Sequence, residues 1–463
     1  MSSVREAELC RVSVFGPKGR ADLAVPLGTT VASLLPVLLA RAGDAASGEA
    51  ARWVLQRLGE APMDPAGTPE SLEWRDGDEL HLRLAEDALP ELDFDDVADG
   101  LATTVARHPG RWRPEFDRWL FLGFSIAALV VPAVVLLLPG APVLAIAGAG
   151  GAAVLLLVAA VLAGGRTEDG ALTALCALGG CGFAALAGAL APAGVTAALD
   201  LRALPILIGS LTLAGAGAVL LVARAVWATG IPFVASGTVV ATGLAGALAQ
   251  GLHLGLGWAP ARTAGLLATV LLAVLIFAPR IAVRFARIRG PQLPRTADEL
   301  QHDIDPVPAA EMAEKARYAD GYLTIATLAS SMFFGCSFPF LVIDGVFGAV
   351  TATVLAIAVV LRSKAFLGSW QRVPLAVSGA AGLAIVVVAV AAGWTGTTRL
   401  IAVLVLAVVF AVLVAAMTRL PPRRPLPIWG HLANWLETLS AVAMIPLVLQ
   451  LFGVYAWALG LAR

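Results

Sequence analysis

The chain has 463 residues, of which 59% are hydrophobic and only 14% charged, and its mean hydropathy is +0.83. Soluble globular proteins carry roughly 45–50% apolar and about 25% charged residues, so a purely water-soluble enzyme is excluded. The net charge of −1 conceals an asymmetry: residues 1–118 hold 13 Lys/Arg against 21 Asp/Glu, and residues 119–463 hold 19 against 12.

A small acidic head therefore precedes a large, sparsely charged body. Residues 1–8 have no apolar core and do not read as a signal peptide. Cys10–Phe15 alternates polar and apolar residues, Gly16-Pro17-Lys18-Gly19 supplies turn chemistry, and Ala21–Val25 resumes as a strand, which predicts a hairpin. Val31, Leu34, Leu35, Leu38 and Leu39 recur at helical spacing behind a Thr29 or Thr30 cap. Trp53–Leu58 is a short strand candidate, and Arg75-Asp76-Gly77-Asp78 turns into the strictly alternating Glu79–Leu84. Strand, strand, helix and strands in that order suit a small α+β β-grasp domain over residues 1–86. His81 falls on the polar side of its strand, and no residue of the head has the company a catalytic group needs.

Residues 86–106 contain seven acidic residues and no basic one, with Leu92, Phe94, Val97 and Leu101 interleaved. That stretch reads either as a solvated linker or as a short amphipathic segment that docks on a basic partner through Asp93, Phe94, Asp95 and Asp96. Arg107, Arg111, Arg113 and Arg118 then line the entry to the body, so residues 87–118 form an acidic-then-basic linker.

Crossing the hydrocarbon core takes about 20 mainly apolar residues. Charge-free stretches of suitable size fall at 120–138, 143–163, 171–192, 204–223, 231–252, 263–279, 321–361, 374–394, 400–418 and 438–460. The stretch 321–361 is too long for one span, and Pro339, Asp344 and Gly345 predict a reversal within it. Eleven transmembrane helices result over residues 119–463. Alternate connections carry fifteen Lys/Arg, from Arg166 to Arg424; the opposite ones and the C-terminus carry four, namely Arg202, Arg262, Arg399 and Arg463. The positive-inside rule then predicts a cytoplasmic head and an extracytoplasmic C-terminus.

The longest polar break, 280–320, opens with a basic amphipathic run, Arg280–Arg289. This run can extend span six onto anionic headgroups or present Arg284, Arg287 and Arg289 to a partner. Thr296 with Glu299 makes a capping-box pattern, and Ala309–Asp320 reads as an acidic-leaning helix. Within the spans as drawn no ionisable residue appears apart from His253 and Asp344 at boundaries, and Gln450 is the one amide deep inside. Intramembrane ionisable groups mark transport pathways, so proton-driven transport is disfavoured. Small residues are abundant instead: Gly148, Gly150, Gly151, Gly179, Gly180, Gly182, Gly188, Gly237, Gly243, Gly246, Gly379 and Gly382 predict close helix packing. No P-loop, GxSxG or HExxH motif occurs. The four cysteines form no CxxC pair, and the five histidines lack ligand spacing, so neither a catalytic residue, a cofactor site nor a metal site is predicted.

The combination resembles the EccD family, the polytopic membrane component of type VII (ESX) secretion systems of actinobacteria. The resemblance is carried by Cys10–Pro17 with Asp22–Pro26, Val31–Pro36, Arg75–Arg83, Phe94–Asp99, Pro109–Trp112, Asp305–Pro308 and Ala319–Thr324. Three Lys against 29 Arg also suit a GC-rich actinobacterial genome. Glu91-Leu92-Asp93 is more acidic than the family pattern. The resemblance implies a ubiquitin-like head on an α-helical membrane bundle in the cytoplasmic membrane. It further implies a non-enzymatic scaffold that pairs with a second copy around a lipid-lined cavity. The implied partners are the FtsK-like motor ATPase EccC, docked through the head, together with EccB, EccE and membrane lipids but no nucleic acid; the implied cargo is helical-hairpin pairs of the WXG100 type. The competing expectation is a secondary transporter of a small solute, with Gln450, Ser330, Ser331 and Ser337 as candidate contacts.

Overall fold

The computed structural model describes residues 9–17, 19–42, 53–58, 60–85, 98, 101, 114–167, 169–288, 308–419 and 427–461. The chain divides into two compact units, Met1–Arg118 and Trp119–Arg463.

In the first unit, β1 (Leu9–Gly16) and β2 (Gly19–Pro26) form the expected hairpin, antiparallel with Gly16 opposite Gly19. Helix α1 (Val31–Ala42) follows, then β3 (Trp53–Gln56) and β4 (Asp78–Leu84). The sheet order is β2-β1-β4-β3, with β1 and β4 parallel at its centre. Alternation places Cys10, Val12, Val14, Leu55, Leu80 and Leu82 beneath Val31, Leu34, Leu35 and Leu38 of α1, which is a β-grasp core. β3 stops two residues short of the predicted Leu58. The turn before β4 has a role that local sequence could not reveal. Gly77 adopts φ +91°, its N–H donates to the Arg11 carbonyl at 2.8 Å, and the Asp76 carboxylate accepts from the Arg11 N–H at 2.7 Å. Asp78 receives Arg57 at 2.5 Å. The turn thus sets the parallel register of β4 against β1.

Among the described residues of the second unit, eleven helices are long and apolar enough to cross a membrane, in agreement with the expected count. They are α2 (Pro114–Leu136), α3 (Pro142–Arg166), α4 (Gly170–Leu190), α6 (Ala203–Val226), α7 (Phe233–Leu256), α8 (Pro260–Phe285), α9 (Ala309–Ile343), α10 (Val346–Ser363), α11 (Ser369–Ala392), α12 (Gly396–Arg419) and α13 (Pro427–Leu451). Short helices α5 (Gly194–Leu199) and α14 (Val454–Leu461) complete it. One packed set comprises α3, α4, α6 and α7; the other comprises α8, α9, α10, α11 and α13, and α7 joins the two through α8 and α9. Helices α2 and α12 bury none of their apolar windows within the chain.

The reversal falls at Asp344-Gly345, as predicted, with Pro339 inside α9. The last span differs from expectation. It runs from Pro427 to Leu451, and the chain breaks at Gly453, where φ is +73°, before α14. Glu437 therefore lies inside the span and Gln450 at its end. A charge-free stretch can begin only after Glu437, which is why the absence of charge alone sets this span too far toward the C-terminus.

Close approach at small residues holds the helices together, as lipid tails give apolar surfaces no reason to prefer each other. A Cβ on Gly382 would sit 2.4 Å from the Phe338 ring, one on Gly243 2.7 Å from the backbone of Ala214 and Ser210, and one on Gly379 2.9 Å from the Ala356 carbonyl. Gly150, Gly151 and Gly182 have open space where a Cβ would stand, so these three are not packing sites. Substituting Gly382→Leu should lower the stability of the detergent-solubilised protein by about 1–3 kcal/mol, read as a fall in its thermal midpoint. Gly150→Ala should stay within ~0.5 kcal/mol of the parent.

Candidate functional site

Three features of the described residues are candidates. The first is the outer face of the head's sheet. His81 stacks on Phe15 with ring centroids 5.4 Å apart, and the Arg20 guanidinium lies over the other side of that ring at 5.6 Å. Arg20 and the Ser13 hydroxyl both donate to Asp22 Oδ1, at 2.9 and 2.6 Å. These bonds hold the Asp22 carboxyl below its ordinary pKa, the serine hydroxyl contributing most. Beside the stack lies a cleft of about 290 Å³ bordered by Pro17, Trp53 and Arg83. His81 is thus part of an aromatic–cationic patch rather than a lone polar residue. On the other side of the sheet, Cys10 is buried, which raises its thiol pKa and keeps it protonated.

The second feature is a charged brace inside the bundle. Arg362 at the end of α10 pairs with Glu437 of α13 at 2.9 Å, and Lys364 adds contacts to Glu437 at 3.5 Å and to Asn434 at 2.8 Å. Arg362 also donates to the Leu275 carbonyl of α8 at 2.9 Å. That carbonyl is the one Pro279 orphans, because the residue four positions on has no N–H to offer. Buried carbonyls left without a partner are costly in lipid, so one guanidinium both pairs with the Glu437 carboxylate and satisfies the carbonyl that the proline leaves open. At the other end of the same helix pair, Arg262 donates to the Leu451 carbonyl at 2.9 Å. The sequence signals for this brace are Glu437 within one apolar stretch and Pro279 within another, far apart in the chain.

The third feature is the end of the bundle where α8 and α9 meet. The basic run continues α8 to Phe285, and the helix closes with Arg287 in the left-handed region at φ +55° and Ile288 N–H donating to Val283. Arg280, Arg284 and Arg287 are exposed. Helix α9 is 35 residues long, about 52 Å at the usual rise, against a hydrocarbon core of about 30 Å. Its first three turns, Ala309–Asp320, are therefore a stalk outside the core, and nearly all their residues are exposed. Phe233 contacts Tyr318 and Tyr322 edge-on at 5.9 and 5.3 Å, Phe285 reaches Tyr322 at 5.9 Å, and Arg224 covers Phe233 at 5.9 Å. This collar fixes the stalk's base. A cleft of about 350 Å³ separates Arg287 from Glu311, Glu314 and Lys315. Asp93, Phe94, Asp95, Asp96 and Arg289 lie outside the described residues, as does the Thr296–Glu299 pattern.

The transporter candidates do not converge. Ser331 and Ser337 donate to carbonyls of their own helix, Thr327 and Phe333, both at 2.7 Å, and Gln450 is the penultimate residue of α13. Among the described residues no three His, Cys, Asp or Glu side chains gather where they could hold a metal.

A β-grasp head and eleven apolar helices, some of them joined by a partly buried ion pair, define a multi-pass membrane protein with an appended ubiquitin-like domain. The family described as the EccD-like transmembrane domain matches residues 117–461, and the family described as the WXG100 protein secretion system (Wss) protein YukD matches residues 9–82. The chain belongs to the EccD family and is a membrane component of the type VII secretion class. Among solved structures it is similar to protomer 1 of the ESX-3 core complex, at TM-score 0.56 and 19% identity over 97% of this chain and 100% of that one. A chain of a MycP5-free ESX-5 inner membrane complex is similar at TM-score 0.50 and 19% identity, over 88% and 99%. No curated protein matches the chain.

The brace gives a sharp expectation. Removing one partner of a fully buried pair costs about 3–5 kcal/mol, whereas replacing both with apolar residues is often neutral; the Arg362–Glu437 pair is only partly buried, so its loss costs less than that range. Glu437→Leu should therefore lower the thermal midpoint clearly, and adding Arg362→Met should recover part of that loss, the Leu275 carbonyl staying unpartnered. Thermal unfolding of the single and double variants in one detergent measures both.

Proposed function

We propose that this chain is the scaffold subunit of a type VII (ESX) secretion complex. Two copies enclose a lipid-lined cavity, and each head docks the FtsK-like motor ATPase EccC, with EccB and EccE as further neighbours. The head, residues 1–86, stands in the cytoplasm on the linker 87–118, and the C-terminus of the membrane domain 119–463 lies outside. The role is non-enzymatic and needs no cofactor; energy comes from the partner ATPase. The match to the EccD family across the whole bundle carries the reading, and the likeness to ESX core-complex protomers supports it. Two features described above suit it as well. The Phe15–His81–Arg20 stack is an aromatic–cationic patch on the outer face of the head. Glu437, the carboxylate within the last span, is engaged by Arg362 and Lys364 in a structural brace.

Secondary docking contacts are assigned to Asp93, Phe94, Asp95 and Asp96 in the linker, and to Arg284, Arg287 and Arg289 of the basic run that follows span six. The Arg-rich connections are on the cytoplasmic side, so both sets face the ATPase.

Deleting residues 1–86 should leave the membrane domain inserted while the ATPase no longer co-purifies and export stops. The subtler variant Phe15→Asp, which leaves the buried core of the head untouched, should weaken ATPase association at least about tenfold, or ~1.4 kcal/mol. Undiminished export without the head would sink the docking assignment.

A further inference from the structure

The two sets of helices in the bundle do not close on each other completely. Between α4, α6 and α7 on one side and α9 and α11 on the other runs a crevice of about 820 Å³, well within the roughly 300–1,000 Å³ of ligand sites. Its walls are apolar, with Leu178, Val239, Leu328 and Met332 among them, and its mouth is polar, formed by Asp320, Ser369, Trp370 and Gln371. The mouth lies at the end of the bundle that carries the Arg-rich connections.

Depth and chemistry together select an occupant. From Asp320 at the mouth to Met332 at the floor, α9 rises through twelve residues, about 18 Å. Half of the hydrocarbon core is about 15 Å. The crevice therefore spans one leaflet and stops near the midplane, which is the reach of a lipid tail from that leaflet and too short for a partner's spanning helix. Asp320 is the only charged residue among those lining it. Its Oδ1 accepts a hydrogen bond at 2.7 Å from the amide of Gln371, which is itself buried and also reaches the Thr324 hydroxyl at 3.1 Å. A buried amide thus aims an exposed carboxylate at the mouth. Trp370 stands beside it, 76% exposed, where indole rings settle at headgroup level. A negative group at the entrance favours a headgroup with a positive end and disfavours a purely anionic one.

We infer that this crevice holds one acyl chain of a glycerophospholipid whose headgroup bears a primary amine, set against Asp320. All of its lining residues belong to one chain. It depends only on the bundle being embedded in a bilayer, and it stands or falls separately from the secretion assignment.

The test uses the full chain, reconstituted into vesicles of equimolar phosphatidylethanolamine and phosphatidylglycerol, re-extracted in mild detergent and weighed intact by native mass spectrometry. The parent should retain one phosphatidylethanolamine per chain, enriched several-fold over phosphatidylglycerol. Ala235→Trp and Thr238→Trp, each filling the crevice, should lose that lipid while eluting at the parent's size. Asp320→Asn keeps the hydrogen bond to Gln371 and should retain a lipid but lose the headgroup preference. Retention in both filled variants equal to the parent's would overturn the inference, as would an unchanged preference in Asp320→Asn. A photo-crosslinker at Thr238 that captures another protein chain in native membrane, instead of lipid, would overturn it too.

Discussion

Arg362 is the residue on which the membrane bundle turns. Its guanidinium meets Glu437 at 2.9 Å and the Leu275 carbonyl at 2.9 Å, linking α10, α13 and α8 at one point. Both partners would be unstable alone in lipid, the one as a bare carboxylate and the other as a carbonyl abandoned by Pro279. By satisfying both, Arg362 permits a kinked α8 and an acidic α13 to share one bundle. Arg262, on the Leu451 carbonyl, ties the far ends of the same two helices. α8 and α13 are therefore clamped at two levels, and the apolar cluster around Phe334, Phe338, Leu355 and Val359 fills the space that the clamps define.

The remaining helices cohere mainly through close contact, with Gln371 adding hydrogen bonds from α11 to Asp320 and Thr324 of α9. Where glycine lets one helix reach another's backbone, as at Gly243 and Gly379, packing replaces the hydrophobic driving force that lipid removes. Helices α2 and α12 bury none of their apolar windows, although Leu129 of α2 packs against Gly179 of α4. A bundle of this kind is rigid where small residues interlock and accommodating at its edges. That suits a component that presents a soluble domain and meets neighbours in the membrane plane.

Much of this was legible in the sequence because the signals were local. Strict alternation in Cys10–Phe15 and Glu79–Leu84 gave the central strands, and apolar runs with loop charges gave eleven spans and the reversal at Asp344-Gly345. What escaped depended on pairs distant in the chain. The Arg75–Asp78 turn looked like a simple reversal, yet it registers β4 on β1 through Arg11. Glu437 marked the wrong boundary for the last span, since its partner Arg362 lies in another helix. Gly150 and Gly182 could not be told from Gly243 and Gly379, as composition does not say which face of a helix meets a neighbour. Likewise, the crevice mouth needs Asp320 and Gln371 brought together from different helices.

The scaffold reading is tested most directly by isolating the tagged full chain from its native membrane in mild detergent and identifying what accompanies it. A second copy of the chain and an FtsK-like ATPase should be recovered with it in fixed proportion, and the ATPase should be lost when residues 1–86 are removed. Recovery of the intact chain as a lone monomer, under conditions that preserve other membrane complexes from the same cells, would show that it is no such scaffold.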